Sequence, residues 1–400
     1  MACLPPRLVL ASTAPVLVLL LFVPLSPCRA ASGSSPSAVL LPVDKDGATQ
    51  QYVTMFWQRT PSVPVKAVVD LAGAMLWVDC ESGYESSSAP PVPPAAPGAA
   101  SPGCLNDTCT GFPEYTITRV STGGNIITDK LSLYTTCRPM PVPRATAPGF
   151  LFTCGATSLT KGLGAAATGM MSLSRARFAL PTQVASIFRF SRKFALCLAP
   201  AESSGVVVFG DAPYEFQPVM DLSKSLIYTP LLVNPVNGRA VPLNATLLAI
   251  AKSGVGGTKL SMLSPYTVLE TSIYKAVTDA FAAETAMIPR VPAVAPFKLC
   301  YDGTMVGSTR AGPAVPTVEL VLQSKAVSWV VFGANSMVAT KDGALCFGVV
   351  DGGVAPETSV VIGGHMMEDN LLEFDLEGSR LGFTSYLPLL QTTCNSFHLG

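Results

Sequence analysis

Charge is the scarcest commodity in this 400-residue chain: Asp, Glu, Lys and Arg make up 13% of it, against 49% hydrophobic residues. Ordinary globular proteins carry about 25% charged residues, so a highly charged disordered chain is excluded. Lys plus Arg total 26 and Asp plus Glu total 26, a formal net charge of zero. There is no basic excess to hold a phosphate backbone, and no nucleic-acid partner is expected. Histidine is nearly absent, with only His365 and His398, and no cysteines stand in a CxxC or Cys/His metal spacing. Zinc-finger and zinc-hydrolase chemistry therefore fail for want of ligands, and no metal or cofactor is expected. GxSxG, HExxH and GxxxxGK are also missing. Gly162-Leu163-Gly164-Ala165-Ala166-Ala167 fits GxGxxA, but no strand-to-helix context surrounds it, and it reads as a turn.

One long apolar run is present. Arg7 precedes Leu8–Leu25, broken by Pro15 and Pro24, and Cys28-Arg29-Ala30 places small residues at a cleavage site. This order predicts a secretory signal over residues 1–30. No later run reaches the ~18 residues of a second membrane span, so the mature chain is expected outside the cell, free of the membrane. Of 11 cysteines, Cys3 and Cys28 leave with the signal. The rest, in an oxidising compartment, read as up to four disulfides and one odd thiol. Asn106-Asp107-Thr108 and Asn244-Ala245-Thr246 are sequons that make Asn106 and Asn244 candidate glycosylation sites.

What remains is mainly β. Short runs rich in Val, Ile, Leu and Phe, among them Ala67–Val69, Gly205–Phe209, Thr317–Leu322 and Leu371–Phe374, are bounded by Gly, Pro, Asp or Asn. Ser272–Glu284 is the clearest helix, with Ile273, Val277 and Phe281 on one face. Residues 86–103 are a proline-rich loop without core residues. The pattern also repeats. KAVVDLAGAMLWV at 66–78 is echoed by TKLSMLSPYTVLE at 258–270, and TGMMSL at 168–173 by SVVIGGHMMED at 359–369. Two similar lobes are expected, at 31–215 and 216–400.

Several motifs fall in a recognisable order. They are VVDLAGAMLWVDC, ARFALPTQVAS, Ile273-Tyr274, APFKLCYD at 295–302, VPTVELVL at 315–322 and IGGHMMEDNLLEFDLEGSRLGF at 362–383. The sequence thereby resembles the pepsin-like aspartic proteases, and more closely their plant branch of xylanase inhibitors, basic 7S globulins and extracellular dermal glycoproteins. The resemblance implies a bilobal fold of two β-barrel-like lobes flanking a cleft. It also implies Cys80–Cys154, Cys197–Cys394 and Cys300–Cys346 bridges, leaving Cys104, Cys109 and Cys137 unassigned.

Enzymes of this kind need two aspartates sharing one proton, one acting as base on water and the other as acid. Against their Asp-Thr/Ser-Gly turns, Asp70 is followed by Leu71-Ala72, while Ser261 and Leu263 fall at the second aspartate and its glycine. A serine hydroxyl cannot share that proton, so both positions are degenerate and no catalysis is expected. Against the flap's Tyr-Gly-Asp-Gly stands Ser121-Thr122-Gly123-Gly124. In related xylanase inhibitors a histidine after a C-terminal Leu-Pro enters the target's active site; here Leu387-Pro388 is followed by Leu389 and Leu390. The implied role is binding or inhibition of a microbial glycoside hydrolase in plant defence, in the apoplast or wall. The alternatives are a storage or peptide-binding protein of basic 7S globulin type, or an active aspartic endopeptidase. His365 and His398 read as a satisfied side chain and a solvated tail residue.

Overall fold

A computed structural model describes residues 35–89, 104–105, 108–135, 144–201, 203–217, 220–230, 241, 243–322 and 327–397. The segment expected to be a signal, residues 90–103 of the proline-rich loop, Asn106, Cys137 and His398 lie outside the described residues.

Strands dominate, and they do not close into two separate barrels. One fourteen-stranded sheet runs through both halves of the chain. Lys193–Cys197 pairs antiparallel with Ser204–Gly210 on one side and with Leu371–Asp375 on the other. Leu371–Asp375 continues to Arg380–Phe383 and then to Ile227–Pro230. The junction suits its sequence: the Val206–Phe209 run is buried throughout, as expected of a strand covered on both faces. Across the junction Phe194 stacks on Phe374 at 4.7 Å between ring centroids. The largest apolar cluster accordingly draws on both halves, from Val39 to Phe383.

Helices are few and each has a local cause. Thr271–Glu284 begins where the Glu270 carboxylate accepts from the Ser272 and Ile273 amides at 2.8 and 3.2 Å. It buries Ile273, Tyr274 and Phe281, the last stacked on Phe347 at 4.0 Å. Leu180–Phe188 is a helix that the sequence signals did not mark. It has no side-chain cap, and its Pro181, easily read as a breaker, occupies the first turn, where proline is tolerated. Gly164–Ala166 is a 3₁₀ turn, with Ala165 and Ala166 at positive φ.

Three disulfides tie this frame: Cys80–Cys154, Cys197–Cys394 and Cys300–Cys346. Cys300 and Cys346 face each other directly across an antiparallel pair. Cys109 is also disulfide-bonded.

Candidate functional site

The two halves contain the same four-strand arrangement. In the first, Val63–Asp70 runs parallel to Gly169–Ser172, which is antiparallel to Trp77–Asp79, itself parallel to Arg144–Gly155. In the second, Thr258–Leu260, Val360–Ile362, Thr267–Leu269 and Val349–Asp351 follow in the same order with the same senses. The registers coincide too: Val68, Met170, Trp77 and Thr153 align across one unit as Lys259, Val361, Val268 and Val350 do across the other. Two residues beyond Val68 stands Asp70; two beyond Lys259 stands Ser261. Strand register therefore makes Ser261 the structural counterpart of Asp70.

Both side chains do the same backbone work. Asp70 Oδ1 accepts from the Ala72 amide at 2.9 Å. Ser261 Oγ accepts from the Leu263 and Ser264 amides, each at 3.3 Å. Asx and Ser/Thr turns are physical substitutes for each other, so serine keeps the turn while removing the charge. Asp70 is 3% exposed. Burial pushes its carboxyl pKa up, and the Ala72 amide and Thr116 hydroxyl only partly offset that. At the register-equivalent position of the second half stands a serine hydroxyl, not a second carboxyl.

Leu263, where the enzymes have glycine, is buried and joins a cluster with Val53, Val68, Trp77, Tyr115, Leu159, Leu163, Ala167 and Met170. All of those partners come from the first half. The apolar side chain thus packs against the opposite half.

A hairpin covers Asp70. Glu114–Tyr115 pairs with Val120–Ser121, and Thr116 in its turn donates Oγ1–H to Asp70 Oδ2 at 2.8 Å. The Trp77 indole N–H donates to the Glu114 carbonyl at 3.0 Å and anchors the hairpin's base. Ser121–Gly124, set against the flap motif in the sequence, leads out of this hairpin into the strand Gly124–Thr135. Gly124 is needed there because a Cβ would collide with the Cys154 carbonyl oxygen. The tip is 116–119, and Arg119 reaches across to Glu357 of the second half at 2.8 Å. Sequence reading missed this hairpin because EYTITRV has no Gly, Pro or Asn to mark its turn. Beneath it is a cavity of ≈ 290 Å³ lined by Asp70, Met75, Trp77, Glu114, Met170 and Phe178, among others.

With both turns, the plug and the hairpin in place, the comparisons are decisive. Residues 52–211 match the family Xylanase inhibitor N-terminal, and residues 230–385 match Xylanase inhibitor C-terminal. The chain belongs to the xylanase-inhibitor family. It is 44% identical to "Probable aspartic proteinase GIP2" of Nicotiana benthamiana, covering 95% of this chain and 96% of the relative. To "Basic 7S globulin" of Glycine max it is 33% identical, over 87% and 88% of the two. Among solved structures, "Crystal structure of edgp" superposes with a TM-score of 0.86 at 44% identity, covering 92% of this chain and 99% of that one. Soybean basic 7S globulin gives 0.76 at 31% identity, covering 90% and 99%.

In this family member the C-terminal loop is a 3₁₀ turn over Leu387–Leu390. Leu387 is fully buried, whereas Leu389 and Leu390 are 38% and 39% exposed. The loop is held firmly. The Leu387 amide donates to the Asp369 carbonyl at 2.7 Å, the Tyr386 amide to Asn370 Oδ1 at 2.9 Å, and Cys394 is bridged to Cys197. Leu387 therefore anchors the turn, and only Leu389 and Leu390 are presented by it.

His365 is engaged on both sides: Nδ1 lies 3.0 Å from Glu368 Oε2 and Nε2 lies 2.9 Å from the Met337 carbonyl oxygen. Glu368 also takes Lys45 Nζ at 2.6 Å and the Tyr52 hydroxyl at 2.9 Å, both from the first half. Burial pushes the Glu368 pKa up, but His365 and Lys45 outweigh it and hold the carboxyl below its usual value. Among the described residues no group of three His, Cys, Asp or Glu side chains could hold a metal ion, and no helix is long and apolar enough to cross a membrane.

Proposed function

We propose that this protein is a catalytically silent binder of a microbial cell-wall-degrading glycoside hydrolase, acting outside the plant cell in defence. The observation that carries the reading is Ser261 at the register position of the second aspartate: it removes proton sharing and leaves a scaffold whose useful surface is its loops. Burial of Leu263 against the first half supports the same reading, because it fills space an extended substrate would need. The rigid turn that exposes Leu389 and Leu390 is the contact we favour. An apolar tip can rest against an aromatic substrate cleft but cannot pair with a glycanase's buried carboxylates, and an unpaired buried polar group costs about 1–3 kcal/mol. Inhibition of family-11 fungal xylanases is therefore weak or nil, and Leu389→His strengthens it. Titrating purified fungal xylanases and endoglucanases against the mature protein tests this. Potent inhibition that survives Leu389→Ala would show that the turn is not the contact.

A second reading, binding of a short peptide, is favoured by the cavity beside Asp70. Calorimetric titration with short apolar peptides would detect it, and Met75→Trp, which fills the cavity, should abolish the signal.

A further inference from the structure

We infer that one face of the large sheet binds a carboxylated polysaccharide, a polymer of uronic-acid sugars, through three cations set around a half-buried tryptophan. The inference goes beyond the glycanase reading and does not depend on it. Four strands paired in succession build this face: Val63–Asp70, Tyr52–Gln58, Gly124–Thr135 and Arg144–Gly155. Pro64, Trp57, Ser132 and Thr146 lie opposite one another across them. Opposite residues share a face, and every second residue along a strand returns to it. The same face therefore carries Lys66 opposite Met55, Arg144 opposite Tyr134, and Lys130 two residues before Ser132. All three cations are exposed. The reverse face is core, with Phe56, Val65, Leu131 and Leu133 buried.

Trp57 belongs to none of the apolar clusters. Its ring is fixed instead by Tyr134, edge-on at 4.9 Å between centroids, and by the Arg144 guanidinium 4.3 Å from the ring centre. Beside it the Ser132 and Thr146 hydroxyls meet at 2.8 Å. Among the described residues none of the three cations has an acidic partner. Asp44, opposite Val53 at the far end of the same face, is engaged by the Ser204 hydroxyl. Three unneutralised positive charges thus gather on one sheet face of a chain whose formal net charge is zero.

The chemistry of this face selects its ligand. A guanidinium stacked on an indole still presents its N–H edge, which takes a carboxylate in a bidentate pair. The lysines add point charges on either side. The polarised C–H groups on the face of a sugar ring meet the negative face of an aromatic ring, and the two hydroxyls can exchange hydrogen bonds with sugar hydroxyls. At about 4.8 Å between strands the patch is roughly 14 Å wide, an open track for an extended chain. Duplex nucleic acid draws its affinity from many neutralised phosphates, and three cations fall short of that. Bound to such a polymer, the protein would be held in an acidic extracellular matrix.

The test is calorimetric titration of the mature protein with oligogalacturonate, alongside the fully methyl-esterified oligomer, which keeps the sugar rings and loses the charge. Binding to the acid form is expected, weakening as salt rises, with the ester bound far more weakly. Lys66→Gln, Lys130→Gln and Arg144→Gln should each weaken binding about three- to fivefold, the worth of one exposed ion pair, and the triple variant by about thirtyfold or more, the three sites acting additively. Arg144→Lys keeps the charge but loses the stacked fork, and should weaken binding as well. Trp57→Leu keeps an apolar side chain on the strand and should weaken binding while its denaturant midpoint shows that it is folded; the exposed charge variants decide the matter if it is not. Leu389→Ala should leave oligogalacturonate binding unchanged, so failure here and failure of the glycanase reading are separate results. No binding, binding undiminished in the triple variant, or equally tight binding of polyglutamate or duplex DNA would each overturn the inference.

Discussion

Truncating Leu263 to alanine is the sharpest test of how the two halves meet. The side chain is 8% exposed and packs in a cluster otherwise made of first-half residues. Leu→Ala removes the equivalent of three buried carbons at about 0.8 kcal/mol each, or roughly 2.4 kcal/mol of transfer free energy. A residual cavity adds to this, and measured core Leu→Ala losses run from about 2 to 5 kcal/mol. A loss of about 3 kcal/mol is expected. The backbone bond from the Leu263 amide to Ser261 Oγ is untouched by the substitution, so the loss reports packing alone. Denaturant unfolding followed by tryptophan fluorescence is the natural assay, because Trp77 lies in the same cluster. The variant should also show a changed native Trp signal. A stability change below about 0.5 kcal/mol, the range of ordinary surface substitutions, with an unaltered Trp signal would refute the idea that Leu263 plugs the space between the halves.

Asp70→Asn should stabilise the fold at neutral pH and leave it unchanged in strong acid. Burial raises the native Asp70 pKa above the unfolded value of about 3.9, so the native state binds the extra proton and stability falls as pH rises through that window; a gain confined to acid pH would contradict this. Glu368→Gln should behave in the opposite sense. The wild-type carboxylate has a depressed pKa and loses its stabilising effect as pH falls through it, whereas the variant lacks that fall and strands Lys45 at a cost of about 3–5 kcal/mol at neutral pH, both measurable by denaturant titration across pH. The purified protein should not cleave denatured globin at acid pH; cleavage that disappears in Asp70→Asn would show a working site that the Ser261 geometry excludes.

The parts of this molecule that could be read in its sequence are those set by short-range pattern. The helix, read over Ser272–Glu284 and found at Thr271–Glu284, was legible because Ile273, Val277 and Phe281 recur at helical spacing, whereas its Glu270 cap was not read. The strands around Gly205–Phe209 and Leu371–Phe374 were legible as apolar runs between turn residues. Ser261 could be set at the second aspartate position because the family's motif runs without a gap to Tyr274, and strand register makes it the counterpart of Asp70. Contacts made over long sequence separations were not legible. Nothing in EYTITRV foretells that Thr116 bonds Asp70 or that Arg119 meets Glu357. Nor does any local pattern bring Lys45 and Tyr52 onto Glu368, or run one sheet through both halves. Leu387 shows the same limit: beside Leu389 and Leu390 it looks like part of one apolar tip, and only the fold makes it core.

The difference between Asp70 and Ser261 at register-equivalent positions follows from what each side chain holds. A serine suffices at 261 because the turn there needs only an acceptor for the Leu263 and Ser264 amides. Asp70 has two tasks on two oxygens: Oδ1 holds its own turn and Oδ2 accepts the hydroxyl of Thr116 from the covering hairpin. A serine has one oxygen on a shorter stem and could not serve both at once. The carboxyl is therefore retained as a clasp even though burial opposes its ionisation. The two turns are thus held differently: Ser261 meets a need for a backbone acceptor alone, while Asp70 also fastens the covering hairpin.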